Sequence, residues 1–132
     1  MDVKSYTNEI IKYHQMADEL IEDNPGGLVR KIELLTKSLF LIGKLSSFLD
    51  GEHKRIYAKR KREYSIAYLN AKSPKKEHAE LIIADLRDEE SEAYQIKQRW
   101  RNAFISTQEE INRLKYKLKI DIADGTQSSR IP

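Results

Sequence analysis

The sequence predicts an all-α fold: a long antiparallel coiled-coil helical hairpin plus a short N-terminal helix. Apolar residues recur at helical spacing along most of the 132 residues, and charged residues make up 34% of the chain, which suits solvated helices. Only five glycines and three prolines interrupt this pattern. We therefore expect a single elongated helical domain over 1–122, followed by a flexible polar tail over 123–132. The expected helices span about 5–22, 28–72 and 74–122.

The first helix is expected to start near Ser5 or Thr7, because both residue types are favoured N-caps. The apolar residues that follow at helical spacing are Ile10, Ile11, Tyr13, Met16, Ala17, Leu20 and Ile21. The segment Asn-Pro-Gly-Gly at 24–27 is expected to end this helix, since proline and glycine disfavour its continuation.

The second helix has the most regular pattern in the chain, with apolar positions separated alternately by four and three residues. This seam consists of Leu28, Ile32, Leu35, Leu39, Ile42, Ser46 and Leu49. Further apolar residues of the second helix widen this seam. Together with two aromatic residues of the third helix, these additional residues form the predicted protein interface. The predicted interface residues are Leu34, Leu41, Leu45, Phe48, Trp100 and Phe104. A lone Gly51 costs only about 1 kcal/mol, so one continuous helix is expected.

The third helix follows almost at once, so the two long helices are expected to fold back on each other. A seam continues through 79–118, and residues that face each other across the hairpin should have numbers that total about 146. Ser73 is expected to be the N-cap of this helix, with Pro74 at its first position. Ser-Pro-Lys-Lys at 73–76 also resembles a short motif that binds the DNA minor groove, which is the alternative interpretation of this elbow.

Charge is unevenly distributed along the chain. The net charge is +3, but residues 1–27 carry −4 and residues 28–72 carry +7. The basic run 53–62 lies opposite the acidic run 85–92 in the predicted register, so the two are expected to neutralise each other. Alternatively, the basic residues bind phosphate in nucleic acid, with tyrosines among them as stacking groups. The candidate nucleic-acid-binding residues are Lys54, Arg55, Lys59, Lys61, Arg62, Lys75 and Lys76.

No residue pattern in the chain indicates catalysis or cofactor binding. There is no cysteine, the three histidines lie far apart, and no phosphate-binding glycine loop is present. We therefore expect no catalytic residue, no metal and no cofactor. The longest apolar runs are well short of the ~18 residues of a membrane span, and the N-terminus lacks the pattern of a signal peptide. A cytoplasmic protein with no membrane partner is expected.

The segment 57–120 resembles a loose group of small phage and prophage proteins. The similarity rests on a Tyr- and Ala-rich ascending arm, an Ala-x-Leu start of the descending arm and a closing Leu-Lys-Tyr-Lys-Leu at 114–118. These proteins are helical hairpins of the early and recombination gene region, mostly without assigned activity. The resemblance implies a phage-type accessory protein in the bacterial host cytoplasm, acting on DNA metabolism or on a host protein. It implies no catalytic residue.

Together these observations favour a non-enzymatic accessory protein that acts by protein–protein interaction through its hairpin. Because two long helices and one short helix cannot cover every apolar position, we expect a homo-oligomer. A host or phage protein is the other expected partner. One alternative is a nucleic-acid-binding accessory factor of phage replication or recombination. Another is an inhibitor of a host nuclease or defence complex, with the acidic residues at 85–92 imitating nucleic acid.

Overall fold

The structure, a computed structural model, describes residues 1–130, and the side chains of residues 1–125. The described chain is all-helical, as predicted, and no strand occurs within residues 1–130. The four helices are α1 (Val3–Asp18), α2 (Pro25–Asn70), α3 (Lys75–Ile82) and α4 (Ala84–Arg130). The two longest, α2 and α4, have 46 and 47 residues.

Helix α1 begins earlier than predicted because Asp2, and not Ser5 or Thr7, is its N-cap. The Asp2 carboxylate accepts a hydrogen bond of 3.1 Å from the backbone N–H of Ser5. The Thr7 hydroxyl instead donates to the carbonyl oxygen of Val3, one turn back inside the helix. Aspartate and serine are comparable N-caps, so the first of them in the chain defines the helix start.

Helix α2 begins at Pro25, three residues before the predicted start at 28. The Asn24 side-chain oxygen accepts a hydrogen bond of 2.7 Å from the backbone N–H of Gly27. Proline is favourable directly after such a cap, because its missing N–H would be unpaired there. The segment 24–27 therefore starts the second helix and, contrary to the prediction, does not end the first, because α1 already ends at Asp18 with Glu19 as its C-cap.

Helix α2 continues through Gly51, as predicted, and apart from neighbouring residues and the backbone of the same helical turns, no atom lies within 4 Å of the position that a Cβ would take there. Replacing Gly51 with alanine is expected to raise the free energy of unfolding by about 0.5–1 kcal/mol, because glycine loses more conformational freedom in a helix interior. Urea unfolding followed by circular dichroism measures the change. Gly43→Ala is the matched control, since its Cβ would lie 3.3 Å from the Phe104 ring and the crowding offsets the gain. An equal gain in both variants would contradict this account.

The link between α2 and α3 differs from the predicted cap. Pro74, with extended backbone angles, occupies the N-cap position, and no side chain caps the helix. The Ser73–Pro74 peptide bond is cis. The prediction that Ser73 is the N-cap is therefore wrong. The helix starts one residue later than expected, so the N-cap position is occupied by Pro74 and not by Ser73.

The predicted third helix is divided at Ile83, which is fully buried. The Ile83 N–H donates to the carbonyl oxygen of Ala79 as the C-cap of α3, and the Ile83 carbonyl oxygen accepts from the Arg87 N–H of α4, so one helix leads directly into the next. Helix α4 then continues to Arg130, eight residues past the predicted end at 122. No proline lies between 122 and 130, and a single Gly125 costs too little to stop a helix. Positions 131 and 132 of the predicted tail lie outside the described residues.

Contacts divide the chain into two compact units. Unit 1 comprises residues 1–45 together with α4 from residue 101, and unit 2 comprises residues 46–100. In each unit α2 packs against α4. The main core lies in unit 1 and consists of Ala17, Leu28, Leu34, Leu35, Ile111 and Leu114. In unit 2 the buried apolar residues are Ala67, Ala79 and Ile83, which is a much smaller core.

Candidate functional site

Most of the surface of the predicted protein-interface residues is covered by other parts of the same chain. Leu34 and Leu45 are fully buried, with exposed fractions of 2% and 0%. The other four, Leu41, Phe48, Trp100 and Phe104, are half-buried. Phe104 lies against Gly43 of α2 in unit 1. The seam pattern identified apolar positions correctly but did not separate those that face the neighbouring helix from those that face solvent.

The most exposed aliphatic side chains of unit 2 lie in the last turns of α2 and α3. Leu69 and Leu81 are each 75% exposed, Ile82 is 66% exposed and Ile66 is 48% exposed. Ile66 and Ile82 line one shallow groove between α2 and α3, with a volume of about 450 Å³. We call it the tip groove; its lining is completed by Glu63, Ala67, Asn70, Ala71, Lys72 and His78. The sequence analysis did not predict this groove. Ile66 and Leu69 are apolar residues outside the predicted seam, and such residues could have indicated an exposed apolar surface at this end of α2.

Three of the candidate nucleic-acid-binding residues have partners on their own helix. Lys54 pairs with Asp50 at 3.0 Å, and Arg55 pairs with Glu52. The Lys61 ammonium lies 4.8 Å from the centre of the Tyr57 ring. These contacts leave all three side chains largely exposed but partly neutralise the first two.

Lys59 and Arg62 are different, because both are exposed and neither has a carboxylate oxygen within 4.0 Å among the described residues. At the link to α3, the Lys75 ammonium lies 5.7 Å from the Tyr68 ring centre, and Lys76 is exposed. The candidate residues are therefore spread around α2 and α3 and are not gathered on one face.

The basic run 53–62 and the acidic run 85–92 were expected to neutralise each other. Within residues 1–130, one ion pair joins the two runs. Arg60 donates to the Glu90 carboxylate, and both side chains are largely buried. Asp85, Asp88, Glu89 and Glu92 are exposed and take part in no ion pair that the described residues form. Most of both runs thus faces solvent.

Asp50 is the other charged contact between α2 and α4 in unit 2. Its carboxylate lies 3.2 Å from Lys97 of α4 as well as 3.0 Å from Lys54. Hydrogen bonds from Lys54 and then Lys97 lower the pKa of this carboxyl group below its usual value. The group therefore stays ionised to a lower pH than an isolated aspartate does.

In unit 1, Arg113 joins two carboxylates. Its guanidinium donates to Glu22 at 2.6 Å and to Glu110 at 2.7 Å. The hydrogen bond from Arg113 lowers the pKa of both carboxyl groups below their usual value of 4.5, and its positive charge acts in the same direction. Glu22 follows α1 and Arg113 lies on α4, so this cluster connects the N-terminal region to the long helix.

Stability is expected to depend on pH through this cluster. Carboxyl groups with a lowered pKa stabilise the folded state above pH about 4.5, and this stabilisation is lost as the pH falls through their folded pKa values. We expect Arg113→Ala to remove up to about 1 kcal/mol at neutral pH, since the groups are partly exposed, and less at pH about 3. Urea unfolding at several pH values measures this. A constant difference between the two proteins at every pH would contradict it.

No family model matches the chain, and neither a curated protein nor a solved structure matches it. The similarity to phage hairpin proteins stays a prediction. Within residues 1–130, no helix is both long and apolar enough to cross a membrane. The same residues contain no group of three or more histidine and acidic side chains placed to hold a metal ion.

Proposed function

We propose that this chain is a non-enzymatic helical protein that acts by protein–protein interaction through an antiparallel coiled-coil hairpin and associates with itself. The observation that carries the proposal is the exposure of four large aliphatic side chains in the last turns of α2 and α3, two of which, Ile66 and Ile82, line the tip groove. Such a cluster is unfavourable in water and is typical of a surface that another protein covers. The small core of unit 2 adds to this, because a thin helical unit gains stability when a partner covers its apolar side chains.

Contacts within unit 2 support the antiparallel arrangement. Asp50 pairs with Lys97, and the His53 ring lies 5.5 Å from the Tyr94 ring; the residue numbers of each pair total 147. Arg60 and Glu90 total 150. A near-constant total is what two antiparallel helices produce. Within unit 1, Gly43 and Phe104 also total 147.

Size-exclusion chromatography with light scattering tests the self-association. The chain has a mass of 15.5 kDa, and we expect a mass near twice that value at micromolar concentration. Ile66→Ser combined with Ile82→Ser should weaken the association without unfolding the chain, because the two side chains are 48% and 66% exposed. Ile105→Ser, at an exposed position of unit 1, is the control and should leave it unchanged. A single-chain mass for the unmodified protein at every concentration would refute the proposal.

A second candidate function is nucleic-acid binding, which the unpaired charges of Lys59 and Arg62 favour. Binding through phosphate contacts releases counterions and therefore weakens steeply with salt. The test is fluorescence anisotropy of labelled single- and double-stranded DNA at about 50 and about 200 mM salt. Tight binding at low salt that is lost in the Lys59→Ala, Lys61→Ala, Arg62→Ala variant would support this function. No binding at low salt would exclude it.

A further inference from the structure

We propose that one face of unit 2 forms a two-fold symmetric interface with a second copy of the chain, in which α2 of each copy lies against α4 of the other. This inference rests on the proposed self-association and specifies where it occurs. We call this surface the groove face. It consists of Lys59, Arg62, Ile66, Ile82, Asp85 and Glu89.

On α2, one side of the helix combines apolar and basic residues. Ile66 lines the tip groove, and Arg62 and Lys59 precede it by four and seven residues. Residues at these spacings lie on the same side of a helix. All three are exposed. The groove side of α2 therefore carries Ile66 near α3 and two bases farther from it, and Glu63 is an acidic residue of the groove lining.

On α3 and α4, the same side combines apolar and acidic residues. Ile82 lines the tip groove, and Asp85 and Glu89 follow it by three and seven residues. Arg87 of α4 lines the groove on the other side of unit 2. Asp85 and Glu89 lie two residues before and two residues after it, about 200° around the helix, so both face away from that groove. Both carboxylates are exposed and, among the described residues, have no basic group within 4.0 Å.

The opposite side of unit 2 differs in its charge pattern. There Arg60, Lys61 and Tyr64 of α2 line a second shallow groove with Glu80 and Arg87. Arg87 already pairs with Glu80 at 2.8 Å, and Arg60 already pairs with Glu90. Two of the bases on that side thus have acidic partners, whereas both bases and both acids of the groove face have none within the described part of the chain.

The positions along the helices match what two-fold symmetry requires. Within the chain, residues of α2 and α4 at the same height have numbers that total 147 to 150. Rotation about a two-fold axis parallel to the helices does not change the position of a residue along that axis. It places α2 of one copy opposite α4 of the second copy, with residues of equal height facing each other. Ile66 then meets Ile82 of the partner subunit, Arg62 meets Asp85 of the partner subunit, and Lys59 meets Glu89 of the partner subunit.

A symmetric interface must be complementary to itself, because each contact occurs twice. The groove face satisfies this condition: each basic position lies opposite an acidic one, and each isoleucine lies opposite an isoleucine. The apolar contacts supply most of the affinity, while the charges set the register and exclude mispaired orientations. The partner that fits this face best is therefore a second copy of the chain.

Charge reversal tests the interface. The first variant carries Lys59→Glu and Arg62→Glu, and the second carries Asp85→Lys and Glu89→Lys. Each variant alone places like charges opposite each other at four contacts, so its self-association should weaken by on the order of 100-fold. A mixture of the two variants restores opposite charges at every contact and should form a dimer about as well as the unmodified chain. Sedimentation equilibrium measures all three samples.

Two controls make the outcome decisive. Lys115→Glu with Lys119→Glu reverses two exposed bases of unit 1 and should leave the dimer unchanged. Circular dichroism verifies that each variant remains helical. If the unmodified chain dimerises and folded charge-reversed variants dimerise equally well, or if their mixture stays monomeric, the groove face is not the interface, although self-association stands. If the unmodified chain is monomeric, the proposed self-association fails as well.

Discussion

Replacing Leu114 with alanine is expected to lower the free energy of unfolding by about 2–5 kcal/mol. Leu114 lies on α4 in unit 1 with no exposed surface, in one cluster with Leu28, Leu35 and Ile111. Truncation removes buried methyl groups and leaves a cavity among three helices that cannot close fully around it. Urea unfolding followed by circular dichroism measures the loss.

The control for this variant is two residues farther along the same helix. Tyr116 is 66% exposed, so Tyr116→Ala should change the free energy of unfolding by no more than about 0.5 kcal/mol. If both variants lost the same stability, the core of unit 1 would not be centred on Leu114.

Replacing Gly27 with alanine is the second substitution with a large expected effect, a loss of about 1–3 kcal/mol. A Cβ at this position would lie 2.2 Å from the carbonyl oxygen of Ile21, which belongs to the backbone and cannot move aside easily. No glycine in the described chain has a positive φ, so the cause is lack of space and not the backbone angle. Thermal unfolding or urea unfolding measures the loss.

Gly26 provides a matched control in the same helical turn. A Cβ there would lie 3.4 Å from the Asn24 side-chain oxygen, which is an ordinary contact distance. Gly26→Ala should therefore be close to neutral. Equal destabilisation by both substitutions would indicate that the start of α2 requires glycine for another reason.

The coiled-coil spacing predicted much of the core correctly. Leu28, Leu35 and Ile42 are buried as the seam requires, and α2 is continuous through Gly51. Helix ends were less predictable, because several neighbouring residues can cap a helix and only one does so. Asp2 and Asn24 both cap through side-chain oxygens, about one turn before the helix starts expected near 5 and 28. The irregularity at Ile83 has no glycine or proline to indicate it.

The charged surface was harder to predict for a geometric reason. A run of ten residues on a helix points in every direction around the axis, so only about one residue in 3.6 faces a given neighbour. Of the basic run, Arg60 reaches Glu90, while Lys59 and Arg62 point elsewhere. Matching the runs by their sequence position predicted their proximity but not which members would meet. The groove face becomes visible only once side-chain directions are known.

Disulfide trapping between single-cysteine chains tests the central claim most directly. The chain contains no cysteine, so each introduced thiol is the only one present. One chain carries Ile66→Cys and the other carries Ile82→Cys, and the two are mixed under mild oxidation. We expect cross-linked pairs that contain one chain of each kind, formed in much higher yield than pairs of identical chains. Cross-linking that is no greater than with Ser65→Cys, an exposed position on the other side of α2, would contradict the proposed interface.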